Sequence, residues 1–313
     1  MAIAHRGEGI SDRTLRRLVK GLAIGLGVLL VAFSITYYLG QRPDSSPSLV
    51  DRQVTAAEDA VKAKPQSIQA RQTLADTYEA AGRVDDAIAQ YQEILKAVPD
   101  SQPAALGLAN ALQEKGDLEG AKKNYALVIK LGGGTEFAVA DPNLEMAHFQ
   151  LATIAMSQDD LTTALKEVQS ALTIDKGDAD AQYLLATIQS KKGDDKSAVV
   201  SLRQALAFVP IGWCEPYDAL AAAYGRLKNT TGAEYAAAMH DFCTGNPDAA
   251  TSRLAPLVNG PSKLDALLGL GLVAESQSDQ AAAVAWYEKA LAVDPGNATA
   301  KTALGRLSTT KVS

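Results

Sequence analysis

Apolar residues recur along most of the chain at the spacing of helices rather than in the alternation typical of strands. Residues 73–80 and 86–96 are predicted to form two helices, separated by Gly82. Glycine permits the positive φ that ends the first helix, and Pro99 ends the second. The pattern therefore predicts a helical hairpin, with polar residues at the turn.

The hairpin pattern repeats at a fixed period. Leu74 and Leu108 are 34 residues apart, as are Ala87 and Ala121. The period returns further along the chain at Leu151, Leu185 and Leu270. One hairpin cannot bury its apolar face alone, so a repeat of this length predicts a solenoid of stacked hairpins.

This spacing resembles the tetratricopeptide repeat family over roughly residues 68–310, about three quarters of the chain. The resemblance implies an all-α fold, a right-handed superhelical solenoid of antiparallel helix pairs. Within a solenoid at 50–313, units are predicted near 68–101, 102–131, 145–177, 178–210 and 264–297, with a C-terminal capping helix at 298–310. Residues 50–64 are predicted to form a lone helix that covers the first full unit.

Two segments depart from the period. Residues 132–143 add nine residues between Leu108 and Leu151 and are expected to form a loop, either a tolerated insertion or a lip over the groove. The irregular region 211–263 contains apolar segments at 214–227, 230–243 and 247–258, one helix more than strict pairing allows. The middle segment pairs with either neighbour, and the sequence does not choose between them.

The N-terminus predicts a membrane anchor. Residues 21–39 carry no charge and are long enough to span a bilayer, so 21–40 is predicted as one transmembrane helix. Residues 1–20 carry five basic and two acidic groups, which predicts that they stay cytoplasmic. The solenoid is then predicted to lie on the extracytoplasmic side of the inner membrane. A cleaved signal peptide is the alternative. Residues 41–49 are a polar linker, and Gly21 and Gly25 are a candidate self-association face.

Charge excludes one class of partner. After residues 1–20 the chain has 25 basic and 34 acidic residues, a net charge of about −9. Nucleic acid requires a basic surface, so no nucleic acid is expected as a partner. An acidic solenoid is ordinarily only a solvated surface, and a basic partner segment is the sharper alternative.

The two cysteines predict a disulfide. Cys214 opens the predicted helix 214–227, and Cys243 closes the helix 230–243. If these helices form an antiparallel hairpin, both residues lie at the same end and within bonding range. The predicted compartment is oxidising or permissive, which favours the bond. The alternative is two unrelated buried thiols.

The sequence predicts no enzyme, no cofactor and no metal site. The three histidines show no zinc spacing, and phosphate-binding and nucleophile motifs are absent. The paired carboxylates Asp85–Asp86, Asp159–Asp160 and Asp194–Asp195 each follow a predicted turn, where acidic residues favour the start of a helix. Capping therefore explains them better than acid–base chemistry.

The resemblance also implies a binding site, because in this family the first helix of each pair lines the concave groove. The implied groove residues are Gln72, Asp76, Asn110, Phe149, Thr153, Tyr183 and Thr187. Among them only Asn110 suits the terminal-carboxylate clamp of some family members. A neutral groove with aromatic anchors favours a peptide with apolar side chains, although Phe149 and Tyr183 are equally compatible with the core.

These patterns predict a membrane-anchored scaffold that binds a protein or peptide partner during envelope assembly, secretion or maturation. A structural, oligomerising envelope protein is the alternative from another class. If the topology is inverted, the solenoid is instead a recruitment scaffold facing the cytoplasm.

Overall fold

The computed structural model describes residues 26, 29–34, 36–37, 48–208 and 212–309 of the 313-residue chain. From residue 48 onward these residues form α-helices that we number in chain order. They are α1 (Leu49–Ala63), α2 (Ile68–Ala80), α3 (Val84–Ala97), α4 (Gln102–Glu114), α5 (Leu118–Gly132), α6 (Pro142–Ser157), α7 (Leu161–Ile174), α8 (Ala179–Lys191), α9 (Asp195–Phe208), α10 (Glu215–Arg226), α11 (Thr230–Cys243), α12 (Pro247–Leu257), α13 (Lys263–Ser276), α14 (Gln280–Val293) and α15 (Ala298–Thr309). The fold is an all-helical solenoid.

Each hairpin turn contains one residue with left-handed backbone, and a small residue follows it at a fixed distance. Gly82 has φ 70°, and Ala87, five residues later, is fully buried. A fully buried alanine likewise follows five residues after the turn residues Gly116, Asp159, Gly193, Gly245 and Ser278. Alanine at this position lets the two helices approach closely, so turn and contact together define the hairpin.

Acidic residues begin several of the helices. The side chain of Asp160 accepts the backbone N–H of Thr163, and Asp194 accepts that of Ser197. Asp85 and Asp86 lie in the first turn of α3. Asp160 and Asp194 therefore cap their helices, whereas Asp195 forms an ion pair with Arg226 and Asp159 is the left-handed turn residue.

The core runs along the chain as a series of clusters. Within the described residues, buried apolar side chains form five clusters, near 54–111, 105–154, 152–188, 186–273 and 267–307. Each cluster overlaps only the next in sequence. We call the helix before each turn a first helix (α2, α4, α6, α8, α13) and the helix after it a second helix (α3, α5, α7, α9, α14). Consecutive first helices from α2 to α8 touch one another, which places them along one side of the stack.

The segment that interrupts the period contains a short 3₁₀ turn, Ala138–Ala140, whose principal contact is α7. Ala138 packs on the core, whereas Phe137 and Val139 are 71% and 73% exposed. The turn therefore lies beside a second helix, and its largest side chains face solvent.

In the irregular region α11 packs against both of its neighbours, α10 and α12. Gly245 and the fully buried Ala250 give the α11–α12 hairpin the same turn as the regular repeats. In the α10–α11 hairpin Lys228 is left-handed, but Ala233, five residues later, is only half-buried. Helix α11 also touches α13, as consecutive first helices do. It therefore acts as the second helix of one pair and the first helix of the next.

The predicted membrane segment lies largely outside the described residues. Of residues 21–40 the structure describes 26, 29–34 and 36–37, which are helical, and it describes neither Gly21 nor Gly25. None of the helices formed by the described residues combines the length and the apolar character needed to cross a bilayer. Residues 1–20 and 41–47 also lie outside the described part of the chain.

Candidate functional site

The seven predicted groove residues share one register. Gln72 and Asp76 precede the left-handed Gly82 by ten and six residues. The same spacing separates Phe149 and Thr153 from Asp159, Tyr183 and Thr187 from Gly193, and Asn110 from Gly116. Residues four apart lie on one face of a helix, and the helices that carry them are consecutive first helices in contact. All seven are exposed or half-buried, so they form a surface stripe across the stack.

At the N-terminal end of this stripe, the structure ties Asp76 into a hydrogen-bond network. Gln72 Nε2 donates to Asp76 Oδ1 at 2.8 Å, and the Tyr91 hydroxyl lies 2.8 Å from both Asp76 Oδ1 and Glu79 Oε2. Burial, followed by the contacts with Glu79 and Asp76, raises the pKa of the Tyr91 phenol well above its ordinary value. Burial also raises the pKa of Glu79. The tyrosine stays protonated and holds the Asp76 carboxylate in place.

This tyrosine contact recurs. The Tyr125 hydroxyl lies 2.7 Å from Asn110 Oδ1 and 2.8 Å from Gln113 Oε1, and the Tyr287 hydroxyl lies 3.1 Å from Glu275 Oε2. Each tyrosine is on a second helix and lies twelve residues after a Glu or Gln on the first helix, as in Tyr91–Glu79. These pairs were not predicted from the sequence, although the repeated spacing of twelve residues between Tyr and Glu or Gln is present in it.

The middle of the stripe carries the two aromatic residues. Phe149 and Tyr183 are half-buried, each packed on a neighbouring core cluster with part of the ring exposed. Tyr183 also meets Trp213 edge-on, with ring centroids 5.0 Å apart. The hydroxyls of Thr153 and Thr187 donate to carbonyls of their own helices, so these residues present mainly their methyl groups and acceptor oxygens.

The same register extends into the C-terminal half, beyond the residues that were predicted to line the groove. Tyr235 and Met239 precede Gly245 by ten and six residues, and Leu268 and Leu272 precede Ser278 by the same distances. All four line a cavity of about 230 Å³. The signal was present in the sequence, but using it requires knowing that α11 acts as a first helix. The stripe register is therefore polar at α2, mixed at α4, where Leu106 and Asn110 occupy it, and mainly apolar at α11 and α13.

Two residues that line this cavity, Arg203 and Asp265, join helix α9 to helix α13. Arg203 donates two hydrogen bonds of 2.7 Å to the carboxylate of Asp265 and one of 3.4 Å to the Tyr224 hydroxyl. The hydrogen bond to Asp265 is the main reason that the pKa of Arg203 is raised further. Burial raises the pKa of Tyr217, on the cavity wall, to about 12. Arg203 and Tyr217 therefore each keep one protonation state near neutral pH.

The cysteines lie beside the same cavity. The sulfur atoms of Cys214 and Cys243 are 2.04 Å apart, which fits the predicted disulfide. Cys214 precedes α10 and Cys243 is the last residue of α11, so the bond joins adjacent ends of an antiparallel pair. Tyr217 and Met239 on these helices are cavity wall residues. The bond therefore fixes the spacing between two of the walls.

Two further polar clusters lie between helices. His148 Nδ1 is 2.7 Å from Glu167 Oε2, and this hydrogen bond is the main cause that lowers the pKa of Glu167. Glu145 lies on α6, the helix of His148. Burial, and then the neighbouring Asp178 and Asp175, raise the pKa of Glu145 to about 7. In the described part of the chain, no group of three or more histidine, cysteine or acidic residues has a geometry that could hold a metal ion.

Comparison with protein families agrees with this geometry. Three models described as tetratricopeptide repeats match the chain, at residues 54–105 and 80–131, at 179–208 and at 235–298. Together the matches cover more than half of the chain. The chain therefore belongs to the tetratricopeptide repeat family. The match at 235–298 covers most of α11 and all of α12, which supports their pairing as a repeat. No curated protein matches the sequence.

Solved structures show the same fold. The C-terminal part of a TPR repeat-containing protein from Cytophaga hutchinsonii is 16% identical, with a TM-score of 0.50, over 80% of this chain and 93% of that one. The MamA RS-1 ArsTM double mutant is 15% identical, with a TM-score of 0.51, over 58% of this chain and 96% of that one. A chain of the APC/C heterotetramer Cut9–Hcn1 is 18% identical, with a TM-score of 0.47 over 90% of this chain, which spans only 52% of that chain's length. At these identities the likeness concerns the fold alone.

Proposed function

We propose that the chain is a protein-interaction scaffold that binds a polypeptide along the stripe formed by its first helices. The observation that carries this proposal is the shared register of the stripe residues. Seven side chains on four successive first helices occupy equivalent positions, and the same positions on α11 and α13 line a cavity. A regularly repeated row of partly exposed side chains suits an extended ligand better than a compact one.

The chemistry of the row suggests how a peptide would be held. Because Tyr125 uses the oxygen of Asn110, the group that Asn110 presents to a partner is its amide nitrogen, a donor for backbone carbonyls. Phe149 and Tyr183 offer aromatic surface at the centre, where binding energy is usually concentrated. Their half-buried rings are already ordered, so binding costs little side-chain entropy.

The test is a pull-down from membranes with the variant Phe149→Ala with Tyr183→Ala, followed by titration of the recovered partner against purified protein. We expect the double variant to weaken binding at least about tenfold, the size expected for loss of two aromatic contacts. The matched control is Val200→Ala with Val293→Ala, which removes two exposed apolar side chains, 57% and 42% accessible, outside the stripe. Equal affinity of both variants would count against the stripe as the binding face.

We further propose that residues 21–40 anchor the chain in the inner membrane, with the solenoid outside the cytoplasm and its partner an exported protein. The uncharged run at 21–39 and its basic N-terminal flank support this topology. Protease added to intact spheroplasts should digest a tag placed after Ser313. Protection of the tag until lysis would instead favour a recruitment scaffold inside the cell.

A further inference from the structure

Two residues that line the cavity of about 230 Å³ in the C-terminal half form an ion pair that skips three helices. Arg203 on α9 reaches Asp265 on α13, 62 residues away, while α10, α11 and α12 lie between them in sequence. Core clusters elsewhere in the described chain join helices that are near neighbours. Residues of α9, α10, α11 and α13 therefore line one cavity, beside the helix α11 that takes part in two pairs.

The lining of the cavity defines what can enter it. Its walls are mainly apolar, because the side chains of Leu206, Leu220, Met239, Leu268 and Leu272 contribute together with the rings of three tyrosines. The charges of the lining residues Arg203 and Asp265 neutralise each other, because two hydrogen bonds of 2.7 Å match guanidinium to carboxylate. A charged group entering the cavity would lose its hydration without finding a free counter-charge. The occupant that suits these walls is apolar and uncharged.

We propose that this cavity receives one bulky apolar side chain, Leu, Phe or Trp, of the bound polypeptide; this inference rests on the peptide-binding function proposed above. The volume supports a single side chain, since an apolar cavity of about 150 Å³ admits a benzene molecule. Tyr235, Met239, Leu268 and Leu272 occupy the stripe register and line the cavity, so a peptide that follows the stripe reaches the cavity. The side chain inserted here fixes the register of the peptide on the scaffold.

The test uses the full-length chain in lipid nanodiscs, so that no free detergent competes for an apolar site. The probes are short peptides of glycine, serine and glutamine with one central residue, either Ala, Leu, Phe or Trp. The chain has four methionines, and the methyl resonance of Met239 reports on the cavity directly. We expect the Leu, Phe and Trp peptides to shift this resonance and to bind about ten- to a hundredfold more tightly than the Ala peptide.

Two variants block the cavity without disturbing the core. Ala207 on α9 and Thr299 on α15 both line the cavity, yet both are exposed. Ala207→Trp and Thr299→Trp should each reduce the affinity for the Phe peptide to that of the Ala peptide. Gln204→Trp and Ala298→Trp place the same side chain at exposed positions of the same helices that do not line the cavity, and they should bind the Phe peptide normally.

The outcomes separate this inference from the function on which it rests. If the recovered partner binds and is sensitive to Phe149→Ala with Tyr183→Ala, but neither blocking variant affects any peptide, the scaffold function stands and the cavity assignment is wrong. If benzene or a free fatty acid shifts the Met239 resonance and none of the peptides does, the cavity is a small-molecule site, and the inference is overturned. Equal binding of all four peptides also overturns it.

Discussion

Glu145 shows how a single carboxyl can make the solenoid sensitive to pH. It lies on α6, facing Asp175 and Asp178 at the junction between α7 and α8, and its pKa is raised to about 7 from an ordinary 4.5. Between these two values the folded chain holds a proton that the unfolded chain has lost. The free energy of unfolding must therefore fall as the pH rises through this range.

Replacing Glu145 with Gln should remove this fall in the free energy of unfolding with rising pH. We expect Glu145→Gln to leave stability nearly unchanged at pH 4 and to raise it by about 1 kcal/mol at pH 8, a value discounted for the partial exposure of the site. Urea unfolding across this pH range measures the difference. The exposed Glu288→Gln on α14 is the matched control and should show no pH-dependent difference. Parallel curves for Glu145→Gln and the original chain would contradict the prediction.

Gly107 tests the close contact between successive repeats. A Cβ added at Gly107 on α4 would overlap the ring of Tyr91 on α3. The ring is held by its hydroxyl contacts to Asp76 and Glu79 and cannot move aside cheaply. We expect Gly107→Ala to destabilise the chain by about 1–3 kcal/mol in thermal or urea unfolding.

The matched control for that substitution is Gly305→Ala. Gly305 is also helical, on α15, but nothing lies within 4 Å of the added Cβ. Alanine there should stabilise the chain by about 0.5–1 kcal/mol, because glycine is a poor helix former. If both substitutions had the same sign, backbone entropy rather than the Tyr91 contact would dominate at Gly107.

At the scale of elements, helices were predictable, and the partners of one helix were not. Apolar spacing predicted segments at 214–227, 230–243 and 247–258, and the structure has α10, α11 and α12 at these places. The period could not choose the pairing of α11, since both hairpins offer a plausible turn. The pairing depends on packing, because α11 contacts both neighbours. Of the two turns that flank α11, only the turn at Gly245 is followed five residues later by a fully buried alanine. The cavity residues were missed for the same reason.

The hairpin turns offer a prediction about backbone strain. Ser278 adopts a left-handed φ of 62° at the position where Gly82 stands in the first repeat. A non-glycine residue is disfavoured there by about 1–2 kcal/mol, and the greater freedom of glycine in the unfolded chain offsets part of that. Ser278→Gly should therefore stabilise by about 0.5–1 kcal/mol.

The reciprocal change, Gly82→Ala, should destabilise by about 1 kcal/mol, since the added Cβ has nothing within 4 Å and only the backbone resists it. Thermal unfolding of both variants measures the two shifts. Shifts in the same direction would show that side-chain contacts, and not the left-handed backbone, determine the turn residue.

At the scale of the whole molecule, the proposed binding surface and the core clusters both extend along the stack of helices. The polar end of the stripe is built by tyrosines of second helices that hold Asp76 and Asn110, and the apolar end is built by the doubled role of α11. The sequence could identify the repeat and the register of the first helices. It could not show that Arg203 and Asp265 meet, because 62 residues and three helices separate them.

The disulfide gives the last prediction, because it lies in only one of the five core clusters. Cys243 packs against the cluster at 186–273, and the cysteines are 29 residues apart. Closing a loop of this length stabilises by about 3–4 kcal/mol in the chain-entropy model. Since each cluster overlaps only the next, Cys214→Ser with Cys243→Ser should accelerate hydrogen exchange in α10–α13 and leave α1–α5 unchanged. Equal acceleration in α1–α5 would show that the solenoid unfolds as one cooperative unit. Absence of change in α10–α13 would show that helix packing, without the bond, suffices to hold the walls of the cavity.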